Sequence, residues 1–152
     1  MDRLQLEKLF AVAIGRETEA FEFYDAAAKK VADRSVSETF MQLAGEELGH
    51  RELLEKFRYD PTLVMKMSAP PADFKIAEAT PLPVLSTGMK PADAIALAMK
   101  KELKAVEFYL SLAQSSIDTG LRDIFRNLAN MELGHKHRLE TMFVSIGYPE
   151  SF

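Results

Sequence analysis

Apolar residues recur at steps of three and four along four long stretches of the chain, and an acid stands inside each stripe. The first runs through Leu6, Leu9, Phe10, Ala13, Ile14, Ala20, Phe21, Tyr24, Ala27, Ala28 and Val31, with Glu17 at its middle. That period belongs to a helix with one face turned to a core, so the Glu17 carboxylate is aimed inward. Ser35 followed by Glu38 reads as a capping box opening a second helix, whose seam is Phe40, Leu43, Glu47, His50, Leu54 and Phe57. It should end near Tyr59, ahead of Pro61. A third helix, with Pro91 in its first turn, carries Ile95, Ala98, Met99, Glu102, Ala105, Val106, Tyr109, Leu112 and Ala113 on one stripe. The fourth begins near Asp118 to Gly120, aligns Phe125, Leu128, Glu132, His135, Leu139 and Met142, and ends around Gly147 before Pro149.

The acids repeat as a set. Glu47-Leu48-Gly49-His50 and Glu132-Leu133-Gly134-His135 are the same four residues 85 positions apart, and Glu17 and Glu102 precede them at one fixed distance of 30. Aligned without gaps, Ala13 to Glu55 and Ala98 to Glu140 share about 17 identities in 43 positions, Phe23-Tyr24 against Phe108-Tyr109 among them. The chain is therefore a duplicated helical hairpin. One hairpin spans about 2–59 and the other about 89–147, within a single domain over residues 1–152. The connection, about 60–88, holds Pro61, Pro70, Pro71, Pro81 and Pro83 and shows neither helical nor strand periodicity. A loop of that length is unusual in a compact domain. It has a geometric task if the second and third helices run parallel, since it must then travel the length of a helix, on the order of 30 Å. The expected architecture is all-α: an antiparallel four-helix bundle of ferritin-like form, two hairpins joined by one long crossover.

Composition narrows the chemistry. A chain of 152 residues can bury a core without staples. With no Cys there are no disulfides, thiolate metal sites, iron–sulfur clusters or thiol nucleophiles, so any metal must be held by Glu, Asp and His. A formal charge of -4, with Lys and Arg interspersed among acids, gives no footprint for nucleic acid. No apolar run approaches the roughly 20 residues needed to span a bilayer, and the N-terminus lacks a leader pattern. A cytoplasmic protein without a membrane partner is the expectation.

Residues three apart on a helix share a face, so each Glu-x-x-His aims a carboxylate and an imidazole at one point. One such motif is common on surface helices. Two in register, each on an apolar seam and each preceded by a buried Glu, make six candidate metal ligands: Glu17, Glu47, His50, Glu102, Glu132 and His135. Four ionised carboxylates packed together in an apolar interior are costly. Two divalent cations balance their charge with both imidazoles neutral. Oxygen-rich donors with one imidazole per metal suit iron first, with manganese or zinc as alternatives.

Other residues carry less. His137 stands opposite Glu52 in the alignment and reads as a solvated residue; Glu46 is matched by Met131 and is not counted as a ligand. Glu22 and Glu107 repeat, but lie about 140° around the helix from the lone glutamates. Tyr24 and Tyr109 share the face of Glu17 and Glu102, where a phenol is either core filling or a hydrogen-bond partner for a ligand carboxylate. The hydrogen bond is preferred. Gly49 and Gly134 inside helices suggest close packing beside the site. Phe10, Phe23, Phe108 and Phe143, off the main seams, suggest a further buried surface and a homodimer.

At these residues the sequence resembles the ferritin-like superfamily, and most closely its rubrerythrin-type branch. The resemblance implies that Glu17 and Glu102 are terminal ligands, that Glu47 and Glu132 bridge two irons, and that His50 and His135 bind one iron each. It further implies a centre that reacts with hydrogen peroxide or dioxygen and is re-reduced by an external donor. Two departures stand out. Rubrerythrins proper carry a Cys-rich rubredoxin domain, and this chain has no Cys, so electrons must come from another protein or from iron itself. Rubrerythrins also place a further glutamate three residues after the third-helix ligand, where this chain has Ala105. The chain ends soon after the fourth helix, without the fifth helix of shell-forming ferritins.

The expected function is that of a non-haem di-iron oxidoreductase, a peroxidase or ferroxidase of the rubrerythrin kind, that reduces peroxide or oxygen with electrons from a donor protein. The catalytic groups are the six ligands acting through the metals, with Tyr24 and Tyr109 behind them. The alternatives are a protein that oxidises and handles ferrous iron, and a structural metal-binding module.

Overall fold

A computed structural model describes residues 3–60, 72–81, 90–116 and 118–147. Its helices are α1 (Arg3–Lys30), α2 (Arg34–Tyr59), α3 (Ile76–Ala79), α4 (Pro91–Ser115) and α5 (Thr119–Gly147), with no strand among the described residues. The four long helices lie where the periodicity predicts them. The start of α2 differs. Its cap is Asp33, which accepts from the Val36 amide at 3.0 Å, so Ser35 is already helical and Glu38 instead pairs with Arg34 one turn back. Asp outcompetes Ser here because it reaches the free amides of the first turn from outside the helix. Asp118 does the same for α5, accepting from the Leu121 amide at 3.0 Å, and Pro91 opens α4 at a position that needs no amide.

Side-chain pairs set the helix directions. Ser37 reaches the Ala28 carbonyl and Arg58 reaches Glu7, so α1 and α2 are antiparallel. Tyr24 pairs with Glu102 and Tyr109 with Glu17, so α1 and α4 are antiparallel too. Arg138 meets Glu46 while His50 meets Glu132, which makes α2 and α5 antiparallel. It follows that α2 and α4 run parallel, the arrangement that requires a long crossover.

The apolar core is split. Tyr24, Phe40, Leu43, Ile95, Met99 and Leu139 form one buried cluster. Phe10, Leu54, Phe57, Tyr109, Phe125 and Leu128 form the other. On every long helix the acids of the repeat fall between the residues of the two clusters, so a polar layer crosses the bundle at mid-height.

The crossover, expected to lack helical structure, contains α3. A single turn is too short to show periodicity; tertiary contacts hold it. The Ala77 amide donates to Glu140 Oε2 at 2.8 Å, and Ala77 is fully buried. The Lys136 ammonium, itself buried, lies 2.8 Å from Asp73, 2.7 Å from Glu78 and 3.4 Å from Glu140. One α5 lysine thus gathers the acids of the crossover. Pro61, Pro70, Pro71 and Pro83 fall outside the described residues. Among these, no helix is long and apolar enough to cross a membrane.

Candidate metal centre

The polar layer contains all six candidate ligands. Glu17 comes from α1, Glu47 and His50 from α2, Glu102 from α4, and Glu132 and His135 from α5. All are buried, His50 the most exposed at 8%. Helical spacing delivers each pair: Glu47 and His50 are one turn apart, as are Glu132 and His135, so each carboxylate and imidazole leave their helix side by side.

Their donor atoms fall into two groups, each drawn within 4.8 Å. One is Glu17, Glu47, His50 and Glu132; the other is Glu47, Glu102, Glu132 and His135. Glu47 and Glu132 belong to both. The two imidazoles stack at 5.3 Å, nearly parallel, with Nδ1 turned to the cluster. His50 Nδ1 shares a 2.8 Å hydrogen bond with Glu132, and His135 Nδ1 lies 2.7 Å from Glu47 Oε1. The second contact is close but out of line, and neither atom has a hydrogen-bond partner. Glu17 Oε2 and Glu102 Oε2 are likewise buried without partners. Buried carboxylate oxygens that lack donors are costly in a protein interior. Their convergence is compatible with bound metal ions, whose charge would neutralise them, and oxygen donors with one nitrogen in each group suit iron.

Electrostatics divides the acids into two kinds. Burial pushes Glu47 up to about 10, reinforced by the nearby carboxylates of Glu102 and Glu17. Burial and the charges of Glu102 and Glu47 likewise raise Glu132 well above its ordinary value. Burial also acts on Glu17, but the closeness of Glu47 and His50 outweighs it and brings the group down to about 2. Glu102, despite burial, is held low by the neighbouring Glu132 carboxyl and the charge of His135. Burial opposes charge on His135, yet Glu102 and Glu47 carry it up to about 10. Without metal, then, the shared acids Glu47 and Glu132 are biased toward the protonated form and the outer acids Glu17 and Glu102 toward the ionised one.

Behind the cluster, each tyrosine serves the lone glutamate of the other half: Tyr24 donates to Glu102 Oε1 and Tyr109 to Glu17 Oε1, both at 2.6 Å. Burial, then the charge of the accepting carboxylate, raises both phenols well above their ordinary value, so they stay protonated donors. Glu22 and Glu107 are exposed.

Two expectations need correction. A Cβ added at Gly49 or Gly134 meets nothing within 4 Å, so neither glycine marks close packing. His137 is half-buried, its ring 4.7 Å from that of Phe74, because the crossover covers it. Phe10 is fully buried, and Phe23, Phe108 and Phe143 are half-buried against the two clusters. One neighbour was missed. Glu46 lies 3.7 Å from His135 Nε2 and is held by Arg138 at 2.8 and 3.2 Å. Burial raises its carboxyl, but the Arg138 hydrogen bond and the His135 charge leave it lowered. Met131 stands at the repeat-related position, so the two halves differ just outside the cluster.

No curated protein gives a significant match. Among solved structures, a hypothetical protein from Pyrococcus furiosus is 28% identical, with 92% of this chain and 89% of that one aligned and a TM-score of 0.65. An uncharacterized conserved protein from Magnetospirillum magnetotacticum is 20% identical over 89% of this chain and 91% of its own, with a TM-score of 0.69, a likeness of fold. The family model described as Rubrerythrin matches residues 8–143, which takes in most of α1 and α5, all of α2 and α4, and every residue of the cluster. The chain belongs to the rubrerythrin family.

Proposed function

We propose that the protein is a non-haem di-iron oxidoreductase that reduces hydrogen peroxide or dioxygen with electrons from an external donor. The observation that carries this reading is the pair of donor groups sharing Glu47 and Glu132, because two shared carboxylates suit two cations held side by side. Glu17 and His50 would complete one position, Glu102 and His135 the other. Iron bound there would supply electrons to an O–O bond and Lewis acidity toward its oxygens.

The chain's own groups prepare the place. Tyr24 and Tyr109 orient the outer carboxylates through hydrogen bonds that survive at every physiological pH, since both phenols stay protonated. Glu47, Glu132 and His135 hold protons that must leave as metals bind, so binding is linked to proton release. The clusters around Phe40 and Met99 on one side, and Phe125 and Leu128 on the other, keep bulk water from the layer.

The test is anaerobic loading with ferrous iron, metal stoichiometry, and ultraviolet-visible spectra after one equivalent of peroxide or oxygen. Two irons per chain with rapid oxidation by peroxide is the expected outcome. Failure to bind two irons, or inertness to both oxidants, overturns it. A second reading is ferrous-iron oxidation and handling, in which iron itself is the electron source. More than two irons per chain, oxidised without a reductant, would select it.

A further inference from the structure

A cleft of about 150 Å³ lies between α1 and α4 and has the carboxylates Glu17, Glu47, Glu102 and Glu132 in its wall. Its other lining residues are Phe23 and four pairs related by the 85-residue repeat: Arg16 with Lys101, Glu19 with Lys104, Ala20 with Ala105, and Tyr24 with Tyr109. The antiparallel register of the two helices brings these pairs to opposite sides of one opening. Arg16 of α1 lies over the Phe108 ring of α4 at 4.2 Å, and Lys101 of α4 lies over the Phe23 ring of α1 at 4.7 Å. Each cation thus spans the gap between the helices, while the small side chains of Ala20 and Ala105 leave space beneath. Both cations are exposed, as is Lys104, and Glu19 is the one exposed acid of the lining, the other four being the buried carboxylates of the cluster.

Resting on the function proposed above, we infer that the α1–α4 cleft is the entrance to the cluster and that Arg16 and Lys101 are its charge filter, admitting small neutral or anionic molecules and turning cations away. The physical basis is electrostatic focusing at a narrow mouth with apolar walls. A cation–π contact at an exposed position is weak, so these side chains can be displaced by an incoming molecule and then return. A cation approaching by the same path meets two like charges first.

The chain's lack of Cys permits a direct test in the full-length protein, without reference to turnover. In Ala105→Cys, and separately in Ala20→Cys, the thiol is reacted with a neutral, an anionic and a cationic methanethiosulfonate of small size. The neutral reagent should modify the folded protein. The anion-to-cation rate ratio should fall roughly tenfold when Arg16→Ala and Lys101→Ala are added. That ratio is insensitive to altered thiol reactivity, which affects both reagents alike, and the charge of the cluster is common to both backgrounds. Raising ionic strength should shrink it in the parent. Thiols that react with the neutral reagent only after unfolding, or a ratio the double substitution leaves unchanged, would overturn the inference. Metal content per chain, measured separately, reports on the proposed centre, so the two can fail independently.

Discussion

Tyr24 on α1 donates a 2.6 Å hydrogen bond to Glu102 on α4, so the phenol of one hairpin fixes the lone acid of the other. Tyr109 returns the contact to Glu17. Replacing Tyr24 with Phe leaves a buried carboxylate oxygen without its donor, a loss of about 1–3 kcal/mol. Urea unfolding should show this for Tyr24→Phe and Tyr109→Phe alike. The double variant should depart from additivity, because both acids belong to one network.

The metal-free protein should weaken in alkali. Glu47 holds its proton up to about 10 when folded and to about 4.5 when unfolded, so the unfolded chain binds fewer protons across that interval and stability falls as pH rises. His135 acts in the same sense: its raised value contributes stability that is full below 6.5 and lost as pH climbs through about 10. Glu17 works oppositely, with a contribution present above 4.5 and lost toward about 2. Thermal melts in chelator should drop by at least about 5 °C between pH 6.5 and 9.5. Zinc or manganese should raise the melting temperature more at pH 8 than at pH 5.5; the reverse order would contradict the proton assignments.

Gly49→Ala and Gly134→Ala should each stabilise the protein by about 0.4–1 kcal/mol, because a methyl group at either position meets open space and the unfolded chain loses freedom. Denaturant midpoints check this. A loss at either position would mean that the helix backbone there is approached by something other than its own chain.

Lys136→Met should cost about 2–4 kcal/mol. Glu140 is fully buried, with Oε1 unpartnered, and would lose its nearby cation, while partial exposure of Asp73 and Glu78 limits the penalty. Hydrogen exchange at the Ala77 amide, which donates to Glu140, should accelerate more than at the α1–α2 interface.

The sequence made the polar layer legible because helical geometry is local. Once Glu47 and His50 fall three apart on an apolar seam, their shared direction follows, and the 85-residue offset repeats it. Directions of the long helices were also within reach, since the crossover's length implies parallel α2 and α4. Lys136 was not. Its burial depends on Asp73 and Glu78, about 60 residues away in the chain, and a lysine on a charged helix otherwise reads as solvated. Glu46 was set aside because Met131 breaks the repeat there. That break is also the signal, since it marks where one half gains the Arg138 pair beside its histidine.

The tyrosine exchange makes the cluster an interface between two hairpins. A single hairpin carries three of the six acids and imidazoles and a phenol that bonds the lone glutamate of the other hairpin, so neither half holds a complete donor group. The crossover therefore does thermodynamic service beyond connecting the helices: it keeps the second hairpin at an effective concentration on the order of millimolar. If metal binds as proposed, occupancy and docking of the halves would be one equilibrium, in which a chelator would act on tertiary structure and a loosened crossover on affinity.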